Sequence, residues 1–140
     1  SEVGFAASYS KIPIIAITGT NGKSSCCWYT YQYLTKFGYR CFIGGNFGIA
    51  LSEMVIKENF DSSSRSSYDF SVVEISSYQM EFPNNFQPKV AVTLNLTPDH
   101  LSRHTSMEVY AHMKQRIFDS QRPNDFAIYP LEILMFVLLK

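Results

Sequence analysis

The chain contains the segment Ile14-Ile15-Ala16-Ile17-Thr18-Gly19-Thr20-Asn21-Gly22-Lys23-Ser24-Ser25, in which an apolar run ends abruptly in a glycine-rich turn. The pattern predicts a buried strand that leads through this turn into a helix. Glycines allow the backbone to approach an anion closely, and the first N–H groups of a helix have no intrahelical partner. These groups and the helix dipole favour a bound phosphate. Lys23 could reach the phosphate oxygens, and the Ser24 hydroxyl could ligate Mg²⁺.

The match to the phosphate-loop pattern G-x-x-x-x-G-K-[ST] is incomplete. Its first glycine would fall at position 17, which is Ile17, so that only G-x-x-G-K-S from Gly19 to Ser24 remains. A plain strand-turn-helix junction with a solvated lysine is the alternative. The apolar run before the turn and the helical pattern after it favour phosphate binding.

Length and composition indicate one folded domain. The 140 residues are 46% hydrophobic and 17% charged, which is not the composition of a disordered chain. The net charge of zero argues against a nucleic-acid partner, because non-specific nucleic-acid binding needs an electropositive surface. No apolar run reaches the length of a membrane span, and the start does not resemble a signal peptide. Cys26, Cys27 and Cys41 lack zinc-type spacing, and we interpret them as reduced thiols of a cytoplasmic protein.

Apolar runs alternate with helical patterns along the chain. Strands are predicted at 14–18, 41–43, 70–75, 89–96 and 126–129, and helices at 24–37, 50–57 and 105–120. A Thr105-x-x-Glu108 capping box opens the last helix, and a serine-rich flexible loop is predicted at 61–68. This alternation is typical of an α/β fold with a mostly parallel sheet and helices on both faces.

Glu74 lies near the end of an otherwise apolar predicted strand. A buried carboxylate is costly unless it is paired or bound to a cation. Ligands of parallel sheets bind at the carboxyl ends of the strands, so Glu74 is expected near Lys23 and Ser24 if the strands are neighbours. We favour a Mg²⁺ ligand, held directly or through water, over an edge-strand glutamate that faces solvent.

Three further strand exits carry polar side chains. Asn46 lies in the glycine-rich exit 44–48, which is either a binding loop or a simple turn. Ser76 and Gln79 follow the Glu74 strand and could contact a substrate or cap a short helix. An Asp99-His100 pair follows the next strand, and this third polar exit favours a functional histidine over a structural one.

Lys114 lies on the apolar face of its predicted helix, since its neighbours three and four residues away are Tyr110, Ala111, Ile117 and Phe118. Such a lysine either extends its amine to the rim or is held in a low-dielectric pocket, where its pKa would fall and its reactivity rise. The pattern alone favours the first arrangement.

Four segments in this order resemble the central ATP-binding domain of the Mur ligases, which has a P-loop NTPase-like fold. They are Thr18–Ser25, Gly44-Gly-Asn-Phe-Gly48, Val73-Glu-Ile-Ser-Ser-Tyr-Gln-Met-Glu81 and Leu94-Asn-Leu-Thr-Pro-Asp-His-Leu-Ser-Arg-His104. The first segment is shared with related amide ligases such as folylpolyglutamate and cyanophycin synthetases. The second and third are more particular to the members that add D-glutamate. The resemblance extends from residue 13 to residue 129.

The resemblance implies a set of site residues. ATP would be bound by Gly19, Thr20, Asn21, Gly22, Lys23, Ser24, Ser25 and Cys26. Two Mg²⁺ sites would be formed by Ser24 and Glu74 for the first metal and by His100 and Lys114 for the second. Lys114 would be carried as a carbamate, which is a carboxylate-like anion. Substrate would be contacted by Asn46, Ser76, Gln79 and His100, and the catalytic residues would be Lys23, Lys114 and His100.

The resemblance also implies the reaction. The carboxylate of UDP-N-acetylmuramoyl-L-alanine would attack the γ-phosphate of ATP to give an acyl phosphate. The amine of D-glutamate would then displace phosphate and form an amide, a step of peptidoglycan synthesis. A monomeric, cytoplasmic enzyme is expected, with no membrane span.

Several features depart from the family pattern. Ser102 replaces the usual aspartate of the D-H-x-D-R segment, which is expected to weaken the hold on its loop. We expect residues 1–12 to be a linker from a missing N-terminal domain, 13–129 to be a partial central domain, and 130–140 to be an atypical tail. Such a fragment is expected to be inactive alone. The alternatives are a non-catalytic nucleotide-binding remnant, a folylpolyglutamate-type or other Mur-type ligase, and a purely structural α/β domain.

Overall fold

The structure, a computed structural model, describes residues 1–60 and 67–134. Its sheet contains β1 (Ile14–Thr18), β2 (Cys41–Gly45), β3 (Phe70–Glu74), β4 (Val90–Thr93) and β5 (Phe126–Ile128). These strands pair in parallel in the order β2-β3-β1-β4-β5. The predicted parallel sheet is therefore confirmed, although β4 is shorter than expected.

Helices cover both faces of this sheet, as predicted. The described residues form α1 (Glu2–Ala7), α2 (Lys23–Lys36), α3 (Leu51–Phe60), α4 (Leu101–His104) and α5 (Met107–Gln115), with 3-10 turns at Gln79–Glu81, Arg116–Phe118 and Leu131–Ile133. On one face, Val3 of α1 and Leu51 of α3 share a core with Val73 of β3. On the other face, Cys27 of α2 packs against Ile17 and Val72. None of the described helices has the length and apolar character needed to cross a membrane.

The central strand, β1, lies between β3 and β4. Ile17 pairs with Glu74 on one side, and Thr18 pairs with Thr93 on the other. The carboxyl ends of parallel strands open at the same edge of a sheet. The loop after β1 therefore lies between the segments that follow β3 and β4, although these are more than 50 residues away in the chain.

The amino-terminal helix was not predicted from the sequence. Ser1 caps α1 by accepting a hydrogen bond from the N–H of Gly4, and Val3 and Ala6 are buried in the main core. A six-residue helix has too short a periodic pattern to be recognised, and packing against α3 stabilises it. The linker role of residues 1–12 in a longer protein stays a prediction, but in this structure the segment belongs to the folded unit.

The predicted capping box at Thr105 is wrong. Ser106 is extended and its side chain accepts a hydrogen bond from the N–H of Val109, so α5 begins one residue later. Thr105 instead has a φ of 65° and donates its hydroxyl proton to the carbonyl of His104. The unpredicted short helix α4 ends at His104, which leaves Thr105 as the connecting residue. The serine-rich loop and the carboxyl-terminal tail lie largely outside the described residues.

Candidate nucleotide-binding site

The loop between β1 and α2 is a strand-loop-helix junction, as predicted. Gly22 is the N-cap of α2 with a φ of 81°, a conformation that glycine adopts easily and other residues rarely do. No side chain caps this helix, so the N–H groups of its first turn are available to an outside acceptor. Ser24 and Ser25 are exposed in this turn, whereas Cys26 packs against the apolar cluster below it.

Lys23 bends back over this loop. Its Nζ atom donates a hydrogen bond of 2.8 Å to the carbonyl oxygen of Thr20, and the residue is half-buried. The ammonium group is thus held beside the start of α2, where it adds full positive charge to the partial charge of the helix terminus.

Glu74 is buried and paired at the end of β3. Only 2% of the residue is exposed. Its Oε2 atom accepts a hydrogen bond of 2.6 Å from the Ser24 hydroxyl, and its Oε1 atom accepts one of 2.8 Å from Nδ2 of Asn46. β3 lies between β2 and β1 and is not an edge strand. The alternative interpretation of Glu74 as a solvent-facing residue of an edge strand is therefore wrong. The carboxylate instead joins the first turn of α2 to the loop after β2.

The glycine-rich exit after β2 approaches Glu74 closely. Gly45 has a φ of 105°, and a Cβ atom there would lie 2.5 Å from the carbonyl oxygen of Glu74. That carbonyl accepts a hydrogen bond of 2.9 Å from the N–H of Asn46. The glycine therefore permits the backbone contact that places the Asn46 side chain on the carboxylate, which a simple surface turn would not require.

Lys114 is held inside the protein. It is 3% exposed, and its Nζ atom donates a hydrogen bond of 2.8 Å to the carbonyl oxygen of Gly19. The same atom lies 4.8 Å from the centre of the Tyr110 ring. Burial, together with the nearby charge of Lys23, lowers the pKa of Lys114 to about 8. The expectation that this amine reaches the rim is wrong, because α5 directs it at the loop after β1.

The Asp99-His100 pair stays at the surface of the site. His100 is an exposed residue with a φ of 52°, and its Nε2 atom lies 3.4 Å from Oδ2 of Asp99. Its ring lies beside that of Tyr78, with 5.1 Å between the centroids. The loop that carries the pair is anchored through Arg103, which binds both carboxylate oxygens of Glu81 at 3.0 and 2.8 Å. Glu81 therefore gives Arg103 a carboxylate partner, which Ser102 cannot provide.

A cavity of about 220 Å³ joins these elements and is lined by Lys23, Asn46, Ser76, Ser77, Tyr78, His100, Tyr110 and Lys114. Five of these residues were predicted site residues. Two amines from different helices converge on it, so the cavity is suited to an anionic ligand. Gln79 is not among these lining residues, and its Oε1 atom accepts hydrogen bonds from the N–H and the hydroxyl of Ser76.

Comparison with known proteins decides the family. The family model of the Mur ligase middle domain matches residues 17–137. The chain belongs to the Mur ligase middle-domain family. It is 41% identical over 128 residues to a protein of Geobacter metallireducens and 42% identical over 128 residues to one of Geotalea daltonii, both named UDP-N-acetylmuramoylalanine--D-glutamate ligase. Each match covers 91% of this chain but 27% of the relative, so the chain spans about a quarter of their length.

Solved structures show the same fold at lower identity. MurF from Acinetobacter baumannii has a TM-score of 0.69 at 22% identity, covering 97% of this chain and 32% of that one. FolC of E. coli, in complex with DHPP and ADP, has a TM-score of 0.66 at 17% identity, covering 100% of this chain and 44% of that one. The Mur ligase fold predicted from the four motifs is therefore confirmed.

Three residues of this Mur ligase domain were missed by sequence reasoning. The Tyr110 hydroxyl lies 3.1 Å from Oγ1 of Thr20, and the buried His104 has its Nε2 atom 2.9 Å from the hydroxyl of Ser77. Asn95 binds the main chain of the loop after β1. Tyr110 was seen only as part of an apolar helix face, and the position of Asn95 at a strand exit was the one signal that could have identified it.

The oxygen donors at the loop fit Mg²⁺. Ser24 and Glu74 present a hydroxyl and a carboxylate in contact, and Mg²⁺ in proteins takes one or two such ligands and completes its shell with phosphate oxygens and water. Within residues 1–60 and 67–134, no three histidine, cysteine, aspartate or glutamate side chains form a metal-sized cluster. His100 and Lys114 line the same cavity, but each is bonded elsewhere, and an ammonium group cannot ligate a cation.

Proposed function

We propose that this chain is the ATP-binding part of a ligase that joins D-glutamate to UDP-N-acetylmuramoyl-L-alanine in peptidoglycan synthesis. The observation that carries the proposal is the contact of 2.6 Å between Ser24 and the buried Glu74, at the start of a helix that also presents Lys23. The 41% and 42% identity to relatives that bear this ligase's name supports the choice of substrates. A folylpolyglutamate-type ligase has less support, because FolC is only 17% identical.

In this proposal the phosphates of ATP lie at the start of α2. The N–H groups of residues 22–25 donate to phosphate oxygens, and Lys23 exchanges the Thr20 carbonyl for the β- and γ-phosphates. Ser24 and Glu74 hold Mg²⁺, which neutralises and orients the phosphates. Asn46 orients the carboxylate of Glu74 from its other side.

The acceptor substrate occupies the adjoining cavity. Its terminal carboxylate attacks the γ-phosphorus, ADP leaves, and an acyl phosphate forms; the D-glutamate amine then attacks the acyl carbon and phosphate leaves. Lys23 neutralises the negatively charged groups, and Asn46, Ser76 and His100 contact the substrate. These roles rest on the common cavity and on the family resemblance.

Lys114 is proposed to carry a carbamate when the enzyme is loaded. A pKa of about 8 leaves a substantial fraction of the amine neutral near pH 7.5, and only the neutral amine can attack CO₂. Carbamate formation joins Nζ of Lys114 to the carbon of CO₂ and releases one proton. The product gives Lys114 the oxygen ligands that the ammonium lacks. His100 and this group would then hold a second Mg²⁺. We further propose a cytoplasmic, monomeric enzyme.

Titration calorimetry with MgATP tests nucleotide binding. The wild-type chain is expected to bind MgATP, and Lys23→Ala is expected to weaken binding at least tenfold, because it removes the charged partner of the phosphates. Lys36→Ala, on the exposed last turn of the same helix, is the control and should bind as the wild type does. Equal heats for the wild type and Lys23→Ala would support a purely structural domain.

A chimera tests the ligase function. The matched 128-residue region of the Geobacter metallireducens ligase is replaced by this chain, and phosphate release is measured with UDP-N-acetylmuramoyl-L-alanine, D-glutamate and MgATP. We expect turnover that depends on D-glutamate and is lost with Lys23→Ala. A folded chimera that binds MgATP but releases no phosphate would favour a non-catalytic nucleotide-binding module.

A further inference from the structure

The side chain of Asn95 is bonded to the main chain of the phosphate loop. Its Oδ1 atom accepts hydrogen bonds of 3.0 Å from the N–H of Thr20 and 2.9 Å from the N–H of Asn21. Its Nδ2 atom donates one of 2.9 Å to the carbonyl oxygen of Asn21. One amide, two residues beyond β4, therefore contacts both donors and one acceptor of a two-residue segment that lies 74 and 75 residues earlier in the chain. The N–H of Thr20 also donates to the main-chain carbonyl of Asn95 at 3.1 Å, so only the Asn21 main chain depends on the side chain alone.

This arrangement divides the N–H groups of the loop into two sets. Those of Thr20 and Asn21 are used inside the protein, so they are not free to bind phosphate. Those of residues 22–25 begin α2 and have no intrahelical acceptor. Asn95 thus sets the boundary between the N–H groups of Thr20 and Asn21, which are bonded inside the protein, and those of residues 22–25, which are available to a ligand.

The loop has glycines on both sides of the segment that Asn95 holds. Gly19 and Gly22 have φ values of 155° and 81°, and glycine gives the backbone several other conformations at similar energy. Without a restraint, binding an anion would require these residues to be ordered first, and the lost entropy would weaken affinity. Asparagine is suited to this restraint because its amide both accepts and donates in one plane.

A second set of contacts holds the neighbouring residues. The Thr20 hydroxyl donates to the carbonyl of Thr97 at 3.2 Å and accepts from the N–H of Thr97 at 3.0 Å. The segment that follows β4 is thus bonded to the loop at two successive positions, and the same segment continues to His100. These contacts are side chain to backbone, and they leave the Asn21 main chain to Asn95 alone among the described contacts.

We propose that Asn95 is a positioning residue that holds the phosphate loop in its phosphate-binding conformation before the nucleotide arrives. The inference rests on the proposed nucleotide binding. Asn95 does not contact the phosphates; it acts through the backbone of Thr20 and Asn21. Replacing it should therefore weaken nucleotide binding and loosen the loop without unfolding the sheet.

The test compares Asn95→Ala and Asn95→Asp with the wild-type chain. MgATP affinity is measured by calorimetry, and amide hydrogen exchange in residues 19–25 is measured without nucleotide. Asn95→Ala should weaken MgATP binding about tenfold and speed exchange at Asn21, while Thr20, whose N–H also donates to the main-chain carbonyl of Asn95, should keep most of its protection. The thermal midpoint should stay within a few degrees. Asn95→Asp keeps the Oδ1 acceptor of the Asn21 N–H but loses the Nδ2 donor to the Asn21 carbonyl, so the protection of Asn21 should lie between those of the wild type and Asn95→Ala. Asn85→Ala, at an exposed position before β4, is the control and should change neither quantity.

The outcomes separate this inference from the proposed function. If the wild type binds MgATP, Lys23→Ala loses it, and a folded Asn95→Ala binds as tightly as the wild type, the positioning role is overturned and the proposed function stands. If the wild type does not bind MgATP, both are overturned. If Asn95→Ala is unfolded, Asn95→Asp is measured instead. Faster amide exchange at Asn21 together with weaker MgATP binding supports the positioning role, and unchanged values for both overturn it. If both variants are unfolded, Asn95 is a folding residue and the positioning role is again overturned.

Discussion

The Ser24 hydroxyl donates a hydrogen bond of 2.6 Å to the carboxylate of Glu74, which lies 50 residues further along the chain. The two residues meet because β1 and β3 are parallel neighbours and Ile17 pairs with Glu74, so the helix that follows β1 starts above the end of β3. A buried carboxylate in this position is paired in the absence of a cation and can exchange a protein donor for a metal when one binds.

Glu74→Gln should remove the Mg²⁺ dependence of nucleotide binding. The amide has the same shape and retains one acceptor oxygen, for either Ser24 or Asn46, but it lacks the negative charge that a divalent cation requires. We expect the affinity for ADP in the presence of Mg²⁺ to fall about tenfold, while the affinity measured with a chelator is unchanged. Glu53→Gln, exposed in the first turn of α3, is the control. An unchanged Mg²⁺ effect in Glu74→Gln would mean that this carboxylate is not a metal ligand.

Gly45→Ala should destabilise the fold. The new Cβ atom would lie 2.5 Å from the carbonyl oxygen of Glu74, and the φ of 105° is unfavourable for alanine. Overpacking and backbone strain together should lower the free energy of unfolding by about 2–4 kcal/mol, measured in urea. Gly48→Ala is the matched control, since φ is 66° there and no heavy atom lies within 4 Å of the added carbon. It should cost about 1 kcal/mol, and equal losses in the two variants would exclude the steric explanation.

Lys114→Met should change how stability depends on alkaline pH. Burial lowers the pKa of Lys114 from 10.5 to about 8, so between these values the unfolded chain holds a proton that the folded chain has lost. Stability contributed by this group therefore rises as pH rises from about 8 to 10.5, by about 3 kcal/mol in all.

The comparison with Lys114→Met isolates this contribution, because burial also raises the pKa of Cys27 to about 12 and that thiol acts in the opposite direction above pH 9. The free energy of unfolding of the wild type should increase relative to that of Lys114→Met as the pH rises from about 8 to 10.5. A constant difference would show that the amine titrates normally.

Asp125→Asn should reduce sensitivity to acid. Backbone N–H donation from Arg122, with contacts from Lys89 and Gln87, lowers the pKa of Asp125 from 3.8 to about 2. The carboxylate therefore contributes stability above pH 4 that is lost as pH falls through about 2. We expect the stability advantage of the wild type over Asp125→Asn to shrink between pH 5 and pH 2. An advantage that does not vary with pH would contradict this.

The parts of the site that are local in sequence were predictable. The loop after β1 was recognised because its apolar run, its glycines and its Lys-Ser pair are consecutive. The meeting of Glu74 with Ser24 was expected on the condition that their strands are neighbours, because the carboxyl ends of parallel strands share an edge; the strand order meets that condition.

Lys114 and Asn95 show where such reasoning stops. The helical pattern around Lys114 describes a face of the helix but not what lies opposite, which is the carbonyl of Gly19, 95 residues away. Asn95 was counted as part of a longer strand, and its side chain could not be assigned a partner before the loop was placed beside it. A buried polar group takes its role from its acceptor or donor, and a distant partner leaves no periodic signal.

The sequence by itself determined the five strands and the longer helices α2, α3 and α5, but not the short helices α1 and α4, because hydrophobic period, turn residues and caps act over a few neighbouring residues. It also indicated the family, since each of the four motifs, at the phosphate loop and at the later strand exits, is a run of consecutive residues. Only the tertiary structure decided the strand order β2-β3-β1-β4-β5, the burial of Lys114 and the tether from Asn95. These depend on contacts between residues dozens of positions apart, whose energies arise from exclusion of water and mutual geometry rather than from local preference.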